Sequence, residues 1–198
     1  MRKGMKIVAG VLATVVMGGA LVYYNFIDKA IPQGVEVGAT CPNFVVNTYK
    51  VQEGEFKVGG ENFSLSGERA LNPDKVIVIN FWATYCGPCK AELPEFDRFQ
   101  KEYKDDVTVI TLDGEVSISE EKLANWMNTN KDAVGWNEFS ILFGRYEEAE
   151  DNVYTKLGFS SGALPATLVV DTEGLIAFKK EGSMHYEDLV EIVTPLFK

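Results

Sequence analysis

Histidine occurs once in this 198-residue chain and cysteine three times. A closed tetrahedral zinc site needs four nitrogen or sulfur ligands. A metal clip on Cys86 and Cys89 would have only Cys41 and His185 to draw on, both far away in sequence, so no metal is expected. The same shortage counts against a cysteine–histidine hydrolase, which would have to bring His185 beside Cys86. Three cysteines are too few for a disulfide scaffold and leave one over. Basic side chains are scarce as well, 19 Lys and Arg against 29 Asp and Glu, a net charge of −10. Arg2, Lys3 and Lys6 fall in the first 27 residues, which hold no acid, so the remainder sets 16 basic against 29 acidic side chains, or −13. A surface that negative repels phosphate backbones and excludes nucleic acid as a partner class. No internal repeat or low-complexity tract is present. What the chain does have is apolar content, 46% hydrophobic and 12% aromatic, ample for one packed domain plus an appendage.

Charge is missing altogether from residues 7–27, "IVAGVLATVVMGGALVYYNFI". Twenty-one residues make a helix about 30 Å long, the thickness of a bilayer core. The three basic residues ahead of it place the N-terminus in the cytoplasm and the rest of the chain outside. Residues 1–27 therefore read as an uncleaved single-pass membrane anchor. The competing reading is a signal peptide, with Gly18 and Ala20 at −3 and −1 of a cut, but the apolar run continues past that point. Residues 28–37 read as a linker and residues 38–198 as the folded domain, in a compartment where disulfides persist.

Within that domain, residues 44–66 alternate apolar and polar in short pieces split by Gly54, Gly59 and Gly60, which suggests strands and hairpins. "VIVINFW" (76–82) and "VTVITL" (107–112) are β-branched runs that read as central strands. A helix is expected from about residue 88 to 103, with Leu93, Phe96 and Phe99 at helical spacing, and Pro94 is expected to kink it. Ser117 with Glu120 looks like a capping box for a helix through Trp126. "FSILF" (139–143) reads as a strand, and residues 147–151 as the opening of a helix that ends at Gly158. "ATLVVDTEGLIAFKK" is a hairpin about Asp171–Gly174, and residues 185–197 form a closing amphipathic helix. The order predicts an α/β fold, a mixed sheet flanked by helices.

The run "NFWATYCGPCKAELPEF" (80–96) carries the chemistry. The strand ending at Trp82 must turn and enter a helix near Pro88, where an imide in the first turn forfeits no hydrogen bond. Cys86 then stands at the helix N-terminus and Cys89 lies one turn deeper on the same face, so the sulfurs come within reach of a disulfide. Free N–H groups and the positive helix end favour thiolate and bring such a thiol down to roughly 3.5–7.5. Cys86 reads as the exposed nucleophile and Cys89 as the shielded resolving thiol. On spacing alone a purely structural disulfide stays open, although so short a loop constrains the unfolded chain little.

The stretch "FWATYCGPCKAELP" resembles the active site of thioredoxin-fold proteins, and most of all that of the TlpA/ResA-like family of membrane-anchored extracytoplasmic thiol–disulfide oxidoreductases. The resemblance runs from "VGATCPNF" near residue 37 through "GALPATLVVDTEGLI" to the C-terminal helix. It implies a thioredoxin-like fold with an N-terminal β-hairpin extension and a helical insert, and no cofactor. Cys86 and Cys89 match the redox pair, Trp82 the tryptophan that flanks it, and Pro165 a cis-proline packed against the disulfide. Leu164, just before that proline, would pair with substrate backbone by strand addition.

Two departures bear on mechanism. Thioredoxin carries a buried aspartate where this chain has Asn80, which cannot titrate. Glu92, three residues after Cys89, matches a glutamate that ResA-like proteins place near the disulfide, though on spacing alone it reads as a solvated helix residue. Tyr85 stands where many relatives have tryptophan and keeps an aromatic lip beside Cys86. Gly87 and Pro88 between the cysteines are like those of reducing thioredoxins, which favours a reductase of protein disulfides supplied with electrons by a membrane donor. Cys41 reads as a buried, inert small residue. The alternatives are a peroxidase attacking hydroperoxides through Cys86, and a binding module or copper carrier, to which the Cys86–Cys89 spacing is poorly suited.

Overall fold

All seven residues of "VIVINFW" are buried, as they must be in a strand covered on both faces. The computed structural model describes residues 34–115, 117–131, 139–146 and 152–198. Ahead of residue 34 it describes only a two-residue backbone ladder, β1 (Val16–Met17) against antiparallel β2 (Ala20–Leu21). The expected anchor therefore falls almost wholly outside the described residues, and among those residues no helix is long and apolar enough to cross a membrane. The chain divides into two units, residues 1–30 and 31–198. The second holds everything that follows.

Its elements are β3 (Val45–Thr48), β4 (Lys50–Gln52), β5 (Glu55–Lys57), β6 (Phe63–Ser64), α1 (Leu65–Leu71), β7 (Val76–Trp82), α2 (Gly87–Glu102), β8 (Val107–Asp113), α3 (Glu120–Asn130), β9 (Leu142–Arg145), α4 (Val153–Lys156), β10 (Ala166–Val170), β11 (Ile176–Glu181) and α5 (Tyr186–Val193), closed by a 3₁₀ turn, Thr194–Leu196. Seven strands form one sheet in the order β11-β10-β7-β8-β9-β3-β6, and β4-β5 is a separate hairpin. The central strands β7, β8 and β9 run parallel. β10 and β11 on one side, and β3 and β6 on the other, pair antiparallel. This is the mixed sheet of a thioredoxin-like fold.

Strand alternation sends successive side chains to two separate cores. Val76, Val78, Trp82, Val107, Val109 and Phe143 meet the apolar faces of α2, α3 and α5 through Leu93, Phe96, Phe99, Leu123, Met127 and Leu189. Ile77, Ile79, Phe81, Ile110, Leu112 and Leu168 meet Phe44, Val46, Leu65, Tyr154 and Phe159 on the other face. Phe81 is fully buried, edge-on to Tyr146, Tyr154 and Phe159 at 5.6, 5.2 and 5.5 Å between ring centroids. Phe81→Ala is expected to cost about 3–5 kcal/mol of stability, read by equilibrium denaturation of the oxidised protein. A loss below about 1 kcal/mol would mean that these rings close over the gap.

Four expectations are corrected. The cap of α3 is Ser119, whose Oγ accepts from the Lys122 N–H at 3.3 Å, while the Ser117 hydroxyl donates to Glu115 Oε1 at 3.0 Å. β9 starts at Leu142 and runs to Arg145, later than 139–143, because Gly144 and Arg145 supply the ladder to β3 and β8. α1 occupies residues expected to be strand and loop, and the Ser64 side chain caps it through the Gly67 N–H. The last helix stops at Val193 and tightens into the 3₁₀ turn, in which Pro195 can donate no hydrogen bond. The helix expected to open at residues 147–151 has its start outside the described residues. Its described part is α4, which ends before Gly158 at φ +78°, a conformation suited to glycine. α2 continues through Pro94.

Candidate active site

Cys86 caps α2. Its backbone is extended (φ −83°, ψ 101°), its Sγ accepts from the Cys89 N–H at 3.2 Å, and Gly87 and Pro88 fill the first turn. That turn contains no acidic side chain, so the partial positive charge of the helix end is not neutralised locally. A tight turn delivers Cys86 to this place, closed by its own N–H donating to the Ala83 carbonyl at 3.0 Å. Cys86 and Cys89 are joined in a disulfide, with Cα atoms 5.3 Å apart. Cys89 is fully buried. Cys86 is only 7% exposed, so the thiol expected to lie open is largely covered. It belongs to the α2-side core together with Trp82, Ala83 and Cys89.

Of the site residues expected from sequence, Trp82 shares a buried cluster with the pair, and Tyr85 and Leu164 share one cleft. Trp82 is the last residue of β7 and packs its ring against Trp126 and Phe143, 6.1 Å away in each case. Tyr85 is 73% exposed beside Cys86. The Leu164–Pro165 peptide bond is cis. Leu164 and Tyr85 line a cleft of about 300 Å³ shared with Gly114, Tyr146, Tyr154 and Asn152. Gly114 is required there, since a Cβ would run into the Tyr146 ring. A larger hollow of about 520 Å³, lined by Pro94, Asp97, Arg98 and Lys101, lies more than two helical turns along α2 and has no part in this chemistry.

Glu92 is the residue whose surroundings differ most from the solvated-helix reading. It is 2% exposed, beneath α2 and against the sheet. Asn80 Nδ2 donates to its Oε1 at 2.8 Å, and the Met184 N–H donates to its Oε2 at 2.9 Å. Burial pushes the carboxyl up to about 7, against the pull of the Met184 N–H, Asn80 and the Lys180 charge. Both oxygens thus face donors, an arrangement that suits the anion, while the dry environment favours the acid. Near neutrality the two effects almost balance.

Asn80 is the hub of this arrangement. It sits between its register neighbours Thr167 on β10 and Thr111 on β8, all three fully buried. Its Nδ2 also donates to Thr167 Oγ1 at 3.2 Å, and its Oδ1 accepts from the Thr111 hydroxyl at 3.2 Å. Every polar atom of the amide is therefore satisfied, which fixes its orientation and with it the donor held toward Glu92. In the sequence Asn80 stands out only as a residue that cannot titrate. The two threonines at alternate positions in buried strands were the available sign of a polar row.

Cys41 lies in the opposite core, 7% exposed, with its thiol pushed up to about 12 by burial despite the nearby Arg69 charge. It is a small hydrophobe there. Among the described residues no cluster of three or more His, Cys, Asp or Glu side chains is arranged to hold a metal ion.

A vicinal cysteine pair at a helix N-terminus, on a mixed sheet with a cis-proline loop alongside, defines the thioredoxin-like class. The AhpC/TSA family model matches residues 37–179, and the chain belongs to that family. It is similar to thioredoxin-like protein YneN of Bacillus subtilis, 26% identical over 93% of this chain and 94% of the relative. Thiol-disulfide oxidoreductase ResA of Geobacillus kaustophilus is 28% identical over 86% of this chain and 83% of that protein. Among solved structures, a DsbF homologue from Corynebacterium diphtheriae superposes with a TM-score of 0.60 at 19% identity, covering 80% of this chain and 87% of the other.

Proposed function

We infer that this protein is a thiol–disulfide oxidoreductase that works through Cys86 and Cys89 as a reductase of protein disulfides. The observation that carries the reading is the pairing itself: a bonded dithiol with one sulfur at an un-neutralised helix N-terminus and the other sealed behind it. The activity named for the Geobacillus relative agrees with it. In the reduced protein the Cys86 thiolate attacks a substrate disulfide. One substrate sulfur leaves and takes up a proton, and a mixed disulfide forms. Cys89 then passes its proton to Glu92 and attacks Cys86 Sγ. The second substrate sulfur leaves, and two electrons have moved from the pair to the substrate. Tyr85 and Leu164 border the approach, with the backbone at Leu164 available to an extended peptide. A dithiol donor in the membrane restores the reduced pair.

The uncharged run at 7–27 behind Arg2, Lys3 and Lys6 supports an anchor that holds the domain outside the cytoplasm. One experiment addresses both statements. Full-length Cys89→Ala, which cannot resolve a mixed disulfide, is expected in the membrane pellet after an alkaline wash, carrying proteins bound through Cys86 and released by dithiothreitol. Absence of such adducts in cells that make the folded variant would remove the exchange reading. A soluble product beginning at Leu21 would remove the anchor alone.

A further inference from the structure

The end of the sheet that carries the disulfide also holds a buried charged cluster with no part in the exchange steps above. Trp82, Asp113 and Arg145 are register neighbours on β7, β8 and β9, so their side chains leave the same face of the sheet. Asp113 is fully buried and Arg145 is 8% exposed. Neither carboxylate oxygen of Asp113 closes a hydrogen bond of good geometry, and neither does Arg145 Nη1 or the Tyr49 hydroxyl, although the Arg145 side chain lies close enough to that hydroxyl to favour its anion. Arg145 Nη2 donates twice, to the Glu115 carbonyl at 3.1 Å and to the Ile118 carbonyl at 2.6 Å.

Those two carbonyls belong to the segment that follows β8, and its Glu115 reaches back to the cysteines. Glu115 Oε2 accepts from the Thr84 N–H at 3.3 Å and from the Thr84 hydroxyl, while Oε1 accepts from Ser117. Thr84 is the second residue of the turn that Cys86 closes onto Ala83. Hydrogen bonds to the main chain and to the side chain of Glu115 therefore link a buried guanidinium to the turn that leads into the attacking sulfur.

The charges around Arg145 explain why it is free to do this. Asp113 faces it from β8, Glu115 from the segment after β8, and Tyr49 from the end of β3, with Glu120 of α3 acting on Tyr49. Burial pushes Asp113 up to about 7; Arg145 opposes the shift and the Glu115 carboxylate reinforces it. The Glu115 backbone N–H also favours the anion, but without closing a hydrogen bond of good geometry. No ion pair locks the two side chains directly, and Arg145 directs Nη2 to the carbonyls instead.

We propose that Arg145 is a positioning residue for the exchange site: by holding the carbonyls of Glu115 and Ile118 it presents the Glu115 carboxylate to Thr84 and so fixes the turn that sets Cys86 at the helix N-terminus. Cys86 Sγ keeps its donor, the Cys89 N–H, only while that turn holds its shape. A loosened turn costs the thiolate a hydrogen bond and raises its pKa. The inference rests on the reading of Cys86 as the attacking thiol.

The test follows iodoacetamide labelling of each cysteine against pH in the reduced full-length protein, resolved by mass spectrometry. The variants are Arg145→Met, Thr84→Val and the two combined. A further pair, Asp113→Asn with Arg145→Met, leaves no lone buried carboxylate and guards against misfolding. Arg145→Met and Thr84→Val are each expected to move the Cys86 midpoint upward and slow labelling at neutral pH by about 2–10-fold, the worth of one hydrogen bond. Combined, they are expected to be no slower than the slower single variant, because both break one chain of contacts. A folded Asp113→Asn, Arg145→Met protein whose Cys86 profile coincides with wild type would overturn the proposal. So would effects of Arg145 and Thr84 that simply multiply. If Cys89 labels before Cys86 in the wild type, the exchange assignment itself falls, and this inference with it.

Discussion

Cys86→Ser brings the reduction of insulin by dithiothreitol down to the rate set by the reductant alone, a loss on the order of 10³-fold or about 4 kcal/mol of barrier. The reason lies in which atom can be anionic. The thiolate is the nucleophile in disulfide exchange, and a helix end without a local acid favours that anion. A serine hydroxyl in the same place stays protonated. The Cys89 N–H can still donate to it, so the α2 cap survives and the fold is retained. Cys89 cannot take over, being fully buried beneath the first turn. Folded Cys86→Ser protein with substantial residual insulin reduction would place the nucleophile elsewhere. The same preparations distinguish the peroxidase alternative: hydroperoxide consumption by the reduced wild type at only the background rate is the outcome that fits a reductase of disulfides.

Residues whose roles depend on near neighbours along the chain are legible in the amino-acid order alone. The β-branched run at Val76–Trp82 is a fully buried strand, and the turn into Pro88 sets Cys86 at the start of α2. The hairpin about Asp171 follows from that residue's own chemistry, since its Oδ1 accepts from the Glu173 and Leu175 N–H groups and Gly174 takes φ +85°. What depends on register is not legible in this way. Nothing in the spacing of Asp113 and Arg145 says that β8 and β9 will place them side by side, or that Arg145 will reach the Glu115 carbonyl. Ser117 and Ser119 both precede a run of acids, and local pattern does not choose between them. Glu92 shows the limit most clearly. Its helical spacing from Cys89 is compatible with an outward-facing side chain. Only the packing of α2 on the β7 row, together with the Met184 N–H from the segment before α5, turns it into a buried group.

That burial gives Glu92 two measurable signatures, which Glu92→Gln separates from those of a solvated carboxylate. The first is in stability. The carboxyl is raised from an ordinary 4.5 to about 7 in the folded protein. Between those values the unfolded chain has released this proton and the folded chain still holds it, so the folded state binds more protons and stability falls as pH rises through the window. Full loss is roughly 3 kcal/mol for a shift of this size. Asp113, raised from 3.8 to about 7, adds a decline of the same sign over nearly the same window. Glu92→Gln removes one contribution and keeps the other, so denaturation midpoints of the oxidised variant should fall off about half as steeply from mildly acid to neutral pH.

The second signature is kinetic and belongs to the reduced protein, since a disulfide has no proton to pass. Cys89 must become a thiolate while enclosed, and Glu92 is the buried carboxyl one turn along the same helix that would take the proton. Glutamine can accept from Asn80 or from Met184 but takes no proton, so resolution of the mixed disulfide is expected to slow by about 10²-fold near neutral pH. The deficit should shrink as rising pH lets Cys89 ionise without help. Rate profiles and denaturation slopes that superimpose for wild type and variant from about pH 5 to about pH 9 would leave Glu92 a bystander. Tuning of the pair would then rest on the N-terminus of α2 and on the turn that Thr84 holds.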